Sequence, residues 1–327
     1  MQMRLAPILT LAIAVALLLA PLVLDDWRIS QLAQLLTYGL FALSLAFIWG
    51  QAGILCFGQA IFFGAGAYLM ALITLGDLPF LGDSQWTGMA AAMLGAGLIA
   101  GLLGLFLFGG RGLSGAHFAI VTLCASVIAE VAARRWSFIG GFNGLLGVPP
   151  LMSPVDRSDM FLSSIETYFL VFAVVAIAYL LLLWLSRSPF GTLMAAIRSN
   201  EHRTRFFGYN TMMVKLFAFV ISGMLAGLAG ALFTAQFGFV SPPLLGFALS
   251  TEVLIWTAVG GRGVLMAALL GAILVRSTEH ALSDALGEYW LLAMGLLFVA
   301  VVIIAPHGLF GRPLRLPPPR RFTGGDR

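Results

Sequence analysis

The chain has 327 residues, of which 60% are hydrophobic and only 10% charged, with a formal net charge of +4. A water-soluble domain carries about a quarter charged residues, so there is too little polar side chain here to clothe a water-facing surface. The apolar stretches are continuous rather than alternating over ~10 residues, which excludes an outer-membrane β-barrel and leaves an all-α, polytopic integral membrane protein.

The first apolar run, 5–24, follows Arg4 and meets no small-residue cleavage site before Asp25 and Asp26, so it reads as an uncleaved helix. Further runs lie at 31–49, 52–75, 88–109, 115–133, 167–186, 213–237, 248–260, 264–283 and 290–305, giving about ten crossings within a range of 8–10. Arginine and lysine set the orientation. With the N-terminus in the cytoplasm and alternating crossings, thirteen basic residues fall inside and four outside. Both termini are therefore expected on the cytoplasmic side. Connectors are too short for a separate soluble domain, so residues 1–311 read as one transmembrane domain.

The run at 52–75 begins QAGILCFGQAIFFGAGAYLMA, with glycines at 53, 58, 64 and 66 and amides at Gln51 and Gln59. Two readings stand side by side: tight helix packing, or a broken helix lining a pathway. Gln51, Gln59, Gly64 and Gly66 are the candidates for the second. The longest outside loop, from Arg134 to Glu166, carries IGGFNGLLGVPP, and its Asn143 joins the same candidate set.

Next comes a charged island in an apolar chain, Arg187–Asn210, reading RSPFGTLMAAIRSNEHRTRFFGYN. It is expected to form one interfacial helix from about Gly191 to Phe207, started by Pro189 and ended by Gly208. Leu193, Met194 and Ile197 would share an apolar side, while Arg198, Glu201, His202 and Arg205 form a polar face. A plain inside loop needs no apolar stripe. An amphipathic element on a chain without its own energy source fits a docking surface for a cytosolic partner.

Further along, STEVLIWTAVGGRGVLMAALLGAIL places Gly260, Gly261 and Gly263 around Arg262, between two short apolar runs. This is either a tight turn with a snorkelling arginine or a re-entrant, gate-flanking turn in which Glu252 pairs with a nearby arginine. Residues 312–327 form a basic, proline-rich cytoplasmic tail expected to be disordered and to sit near anionic lipid headgroups.

Much familiar chemistry is missing. The one lysine, Lys215, has no glycine-rich phosphate loop before it, and no nucleophile elbow or zinc-protease motif appears. The two cysteines and four histidines are scattered, so no metal ligand set is expected. Glu252 is the clearest ionisable residue inside a run; Glu130, Arg276 and Glu279 lie nearer run ends. Such sparse intramembrane charge fits a transporter whose energy arrives through a partner better than a stand-alone ion-coupled one. A membrane-embedded enzyme has no residue cluster to support it.

Several stretches together carry a resemblance: FGQAIFFGAGAYLMA, the IGGFNGLLGVP loop, GTLMAAIRSNE with FFGYN, KLFAFVISGMLAGLAGAL, TEVLIWTAVGGRGVL and APHGLFG. The chain resembles the permease subunits of ATP-driven importers of the branched-chain amino acid type, the M-type subunit in particular. Urea-importer permeases belong to the same group. FFGYN, IWTAVGGRG and the basic Arg203-Thr204-Arg205 run look closer to the urea type, the IGGFNGLLGVP loop to the amino-acid type.

What the resemblance implies is a five-part complex in the bacterial inner membrane. Two permease subunits (this chain with a sister H-type subunit or a second copy) would form the pathway. Two cytosolic subunits would bind ATP and magnesium, this chain holding no cofactor, and an outside binding protein would deliver substrate. In the family the segment matching 187–212 contacts the ATPase, a role carried onto Gly191, Ala195, Ala196, Ile197, Arg198, Asn200, Glu201 and Gly208, with Arg203 and Arg205 in the departing basic run. Neither an enzymatic role nor a nucleic-acid partner is expected.

Overall fold

The computed structural model describes residues 2–78, 82, 84–109, 115–152 and 161–286, together with 289, 295, 296, 308–311 and 314. Helices occupy nine of the ten apolar runs; the tenth, 290–305, lies outside the described residues apart from 295 and 296, as does the tail apart from Leu314. In chain order the helices are α1 (Gln2–Leu19), α2 (Asp26–Phe47), α3 (Gln59–Thr74), α4 (Gln85–Phe108), α5 (Gly115–Arg135), α6 (Ser164–Arg187), α7 (Pro189–Ser199), α8 (Glu201–Phe206), α9 (Thr211–Phe237), α10 (Phe247–Gly260) and α11 (Leu265–Leu286).

The runs are not equal as crossings. Among the described residues, five helical spans are long and apolar enough to traverse a membrane: Asp26–Ala52, Gln85–Phe108, Gly115–Arg135, Ser164–Arg187 and Thr211–Phe237. Pro7–Leu22 and Gln59–Thr74 are shorter, and Phe247–Gly260 with Leu265–Glu279 form a pair bent by 116°. The glycines at 260, 261 and 263 thus make a sharp elbow, with Gly261 at φ +132°.

The run at 52–75 departs from a single span. α2 ends in a π-helical turn, Ile48–Ala52, closed by left-handed Gly53, and helix resumes only at Gln59. The sixteen residues of α3 reach ~24 Å at 1.5 Å per residue, short of a ~30 Å hydrocarbon core. Non-helical backbone, and the free N–H groups of a helix start, must find internal partners where lipid surrounds them. They do: Phe57 N–H donates to Thr122 Oγ1 at 3.1 Å and Ala60 N–H to Ser250 Oγ at 3.1 Å.

α3, α4 and α9 form a closely packed layer, and α2 lies across it with α6, α10 and α11. The layer depends on small residues: a Cβ at Gly66 would overlap the carbonyl of Gly227, so these helices meet backbone to backbone. The outward faces stay apolar, with Leu98, Leu102 and Phe106 of α4 and Ile177, Leu180 and Trp184 of α6 exposed, as a lipid solvent allows. A two-residue antiparallel pair joins β1 (Leu145–Leu146) to β2 (Phe239–Val240), in register Leu145↔Val240 and Leu146↔Phe239. It ties the long loop after α5 to the end of α9.

Candidate functional site

The charged island is two helices, not the single one expected. Ser188 and Pro189 start α7, which buries Gly191, Met194 and Ile197 and leaves Ala195, Ala196 and Arg198 exposed. At Asn200 the backbone becomes extended (φ −160°, ψ 101°), and its side chain accepts from Arg203 N–H at 2.9 Å, capping α8. An asparagine oxygen competes well for the free donors of a helix start, and here that local bond interrupts the amphipathic stripe. Gly208 closes the segment with φ +84°.

α8 is locked to α9 through one carboxylate oxygen. Glu201 Oε1 meets Lys215 Nζ at 2.8 Å and Arg205 Nη2 at 3.0 Å, and accepts from Thr211 Oγ1 at 3.1 Å. Lys215 is buried, its ammonium 5.1 Å from the centre of the Phe108 ring. Burial raises the Glu201 pKa, but the hydrogen bond and charge of Lys215, then Thr211 and Arg205, outweigh it and hold the carboxyl below its ordinary value. The sequence singled out Glu201 and Arg205; Lys215 fell at the start of the 213–237 run with no partner assigned, and Thr211 lay just before that run.

Arg198 ties α7 to the break after α2. Its Nη1 donates to the carbonyl of Gly50, and its aliphatic stem packs where a side chain at Gly53 would stand, so Gly53 (φ +73°) is required twice over. Arg262, from the α10–α11 elbow, lies with its guanidinium 5.4 Å from the centre of the Trp49 ring, and its carbonyl abuts Gly50. Ile197, Arg198, Glu201, Lys215, Gly53 and Arg262 all line one cavity of about 550 Å³. Two candidate sets that the sequence kept apart, the charged island and the elbow, therefore share one wall. Half-buried Gln51 adjoins it in the chain, in the π turn.

Other candidates sit elsewhere. Gln59 is fully buried between helices, its Nε2 donating to Ser44 Oγ at 2.9 Å and Ser222 Oγ at 2.8 Å, while Oε1 has no partner among the described residues. Gly64 faces Leu245, and Gly66 lies in the α3–α9 seam. Asn143 is exposed in the turn Gly141–Asn143, beside Phe142, whose ring lies under the Arg134 guanidinium.

Glu252 does find an arginine, though not Arg262. Arg276 Nη1 lies 3.8 Å from Glu252 and 2.7 Å from Glu279, and its Nη2 donates to Tyr38 Oη at 2.8 Å. Its guanidinium also stacks 4.2 Å from the Tyr38 ring centre and 5.5 Å from that of Trp256. This cluster joins α2, α10 and α11, and only the Arg276–Glu279 spacing of three residues gave a local signal of it.

With this geometry in hand, the comparisons decide the family. The "Branched-chain amino acid transport system / permease component" family matches residues 28–304. The chain belongs to that family. The permease is 32% identical over 293 residues to "High-affinity branched-chain amino acid transport system permease protein LivM" of Escherichia coli K12, covering 83% of this chain and 67% of the relative. It is 26% identical to the LivH permease protein of the same named system in Salmonella typhimurium, covering 85% and 92% of the two chains. The "Ribose import permease protein RbsC" of Haemophilus influenzae is 27% identical over 45% of this permease and 50% of its own length. No solved structure matches.

Proposed function

We infer that this chain is the membrane-spanning permease subunit of an ATP-driven importer of branched-chain amino acids, and that it is not itself an enzyme. One observation carries the reading: the family match, 28–304, runs through all five long spans bar the first two residues of α2, and through the bent pair. In this reading two cytosolic ATPases bind ATP and magnesium, a sister permease or second copy completes the route, and an external binding protein delivers substrate. The complex lies in the inner membrane of a bacterium. The excess of Arg and Lys in alternate connectors supports cytoplasmic termini and puts Arg187–Asn210 on the ATPase side.

The mechanism follows from what that segment touches. Closure of the ATPases pushes on α7 and α8; Arg198 passes the displacement to Gly50, and the shared cavity wall passes it to the elbow at Gly260, Gly261 and Arg262. The route runs beside Gln51 and Glu252, with Gln59, Gly64 and Gly66 setting the helix spacing alongside and Asn143 at its outer mouth. Residues 1–311 act as one domain and the basic tail lies against lipid headgroups.

Vesicles containing this chain with its candidate partners test the reading. ATP inside, with the loaded binding protein outside, should drive leucine uptake that stops when either ATPase is inactivated. Uptake that needs an ion gradient and no ATP would make the chain a secondary transporter, and ATP-driven uptake of urea in place of leucine would reassign the substrate.

A further inference from the structure

The Tyr38–Glu252–Arg276–Glu279 cluster is packed against the middle of a membrane span. Tyr38 is near the midpoint of Asp26–Ala52, roughly 20 Å from either end at 1.5 Å per residue. Yet the cluster is not sealed. The Glu252 side chain is 43% accessible, against 16% for Arg276 and 19% for Glu279. A carboxylate half-open at that depth cannot face hydrocarbon without a large penalty; it faces water or another polar group.

The charges do not balance either. Two carboxylates meet one guanidinium, which is already engaged: Nη1 by Glu279 at 2.7 Å, Nη2 by the Tyr38 hydroxyl at 2.8 Å. Glu252, at 3.8 Å, is beyond hydrogen-bond reach and receives no hydrogen bond among the described residues. The most open member is thus the one whose charge is least satisfied. Behind it Tyr38, Trp256 and Phe233 are buried, Tyr38 lying edge-on to Trp256 and tilted against Phe233 and Phe237, so the cluster is packed on its aromatic side and open only at Glu252.

Resting on the permease reading above, we propose that the α10–α11 face bearing Glu252 lines the aqueous route and is a transient binding point for the ammonium group of a zwitterionic amino acid. Glu252 accepts the ammonium; Arg276, held by Glu279 and Tyr38, is a positioning residue that keeps the face from collapsing onto a second acid. A neutral solute such as an amide would gain nothing from this arrangement.

The test reads accessibility and charge rather than transport. Ile255, one turn from Glu252 on the same helix, is changed to Cys with exposed Cys124 replaced by Ser; Cys56 is buried and stays. The full complex in vesicles is exposed to two membrane-impermeant thiosulfonates, one carrying trimethylammonium and one sulfonate. Both should react, and the cationic reagent about fivefold faster or more relative to a free thiol, as a nearby unit negative charge requires. Adding Glu252→Gln should remove most of that preference. L-leucine should slow the labelling, and its keto acid, which lacks the ammonium, should not.

No reaction at Ile255→Cys or at Glu252→Cys would overturn the proposal, as would equal rates indifferent to Glu252→Gln, or equal protection by the keto acid. Labelling needs no ATP hydrolysis. Its failure is therefore distinguishable from failure of ATP-driven leucine uptake, which would overturn the importer reading instead.

Discussion

Helix α9 is held at its two ends by opposite means. Its middle and far half meet α3 and α4 through Gly223, Gly227 and Gly230, where a Cβ would strike Ala100, Ala96 or the Phe63 carbonyl. Its first turns are held by ions and hydroxyls, through Thr211 and Lys215 on Glu201. In lipid no hydrophobic force draws helices together, so the dry seam rests on close approach and dispersion. Near water, charges can be paired, exchanged and screened. The seam is therefore suited to stay fixed, and the ionic end to be the part a partner moves.

The largest expected effect comes from breaking the seam. Gly66→Val would drive methyl groups into the Gly227 backbone, and helix backbone cannot step aside as a side chain can. The loss should be at least about 3 kcal/mol, the upper end of overpacking penalties, read as a lowered Tm in detergent or loss of folded protein from membranes. Gly101→Ala is the control: its nearest heavy atom is Val220 Cγ2 at 3.6 Å, ordinary contact, so it should be neutral. Equal losses from both would mean that the close approach at Gly66 does not set the effect, since helix propensity by itself favours alanine over glycine.

Breaking the ionic end should cost less. Glu201→Gln leaves buried Lys215 without its counter-charge; the penalty should fall near the lower end of the roughly 3–5 kcal/mol for a broken buried pair, because Glu201 keeps 24% of its side chain accessible. Adding Lys215→Met should restore most of it, since the buried charge left without a partner is then removed. The same pair predicts a pH dependence. The Glu201 pKa is depressed on folding, so its contribution is complete above the ordinary carboxylate pKa and fades as pH falls through the lowered value. Thermal unfolding should show an acid-side loss in the native protein that Glu201→Gln lacks. A loss of equal size in both would assign it to another carboxylate. A charge reversal at Glu201 therefore reports on folding before it reports on a partner, and Arg198 is the cleaner probe of coupling.

How much of this the sequence showed depends on whether the signal was local. Continuous apolar runs fix helices, and the glycines around 53–66 and 260–263 marked the places where backbone breaks or turns. Pro189 and Gly208 bounded the charged island correctly. Asn200 was read within a single helix because no Gly or Pro falls in 192–207, whereas its side-chain bond to Arg203 caps a new helix there. Lys215 stood near the start of the 213–237 run with no partner to be read there, because the first turn of α9 that carries it inward, from Thr211, depends on the Asn210 cap. The partner of Glu252 comes from α11 by way of the elbow's 116° bend, a distance in sequence that no periodicity encodes. The 550 Å³ cavity shared by Arg198 and Arg262 is a product of tertiary packing in the same way.

The smallest expected effect on stability carries the most information about docking. Phe206 is 91% exposed and Phe207 75%, at the end of α8 beside Arg203 and Arg205. Exposed aromatics flanked by arginines have the composition of interface anchors, and they mark the side of the ionic junction that faces away from the seam. Phe206→Ala touches no packed neighbour, so stability should shift by no more than about 0.5 kcal/mol. If α8 is where the ATPase pushes, affinity for the ATPase subunits in detergent should fall at least about tenfold, equivalent to about 1.4 kcal/mol, with leucine-stimulated ATP hydrolysis falling alongside it. Unchanged affinity with weaker partitioning into anionic vesicles would instead put these rings in the headgroup layer as interfacial anchors. In that outcome the push must enter through α7 alone, and Arg198→Ala, which cuts the bond to Gly50, should uncouple ATP hydrolysis from uptake while the seam stays intact.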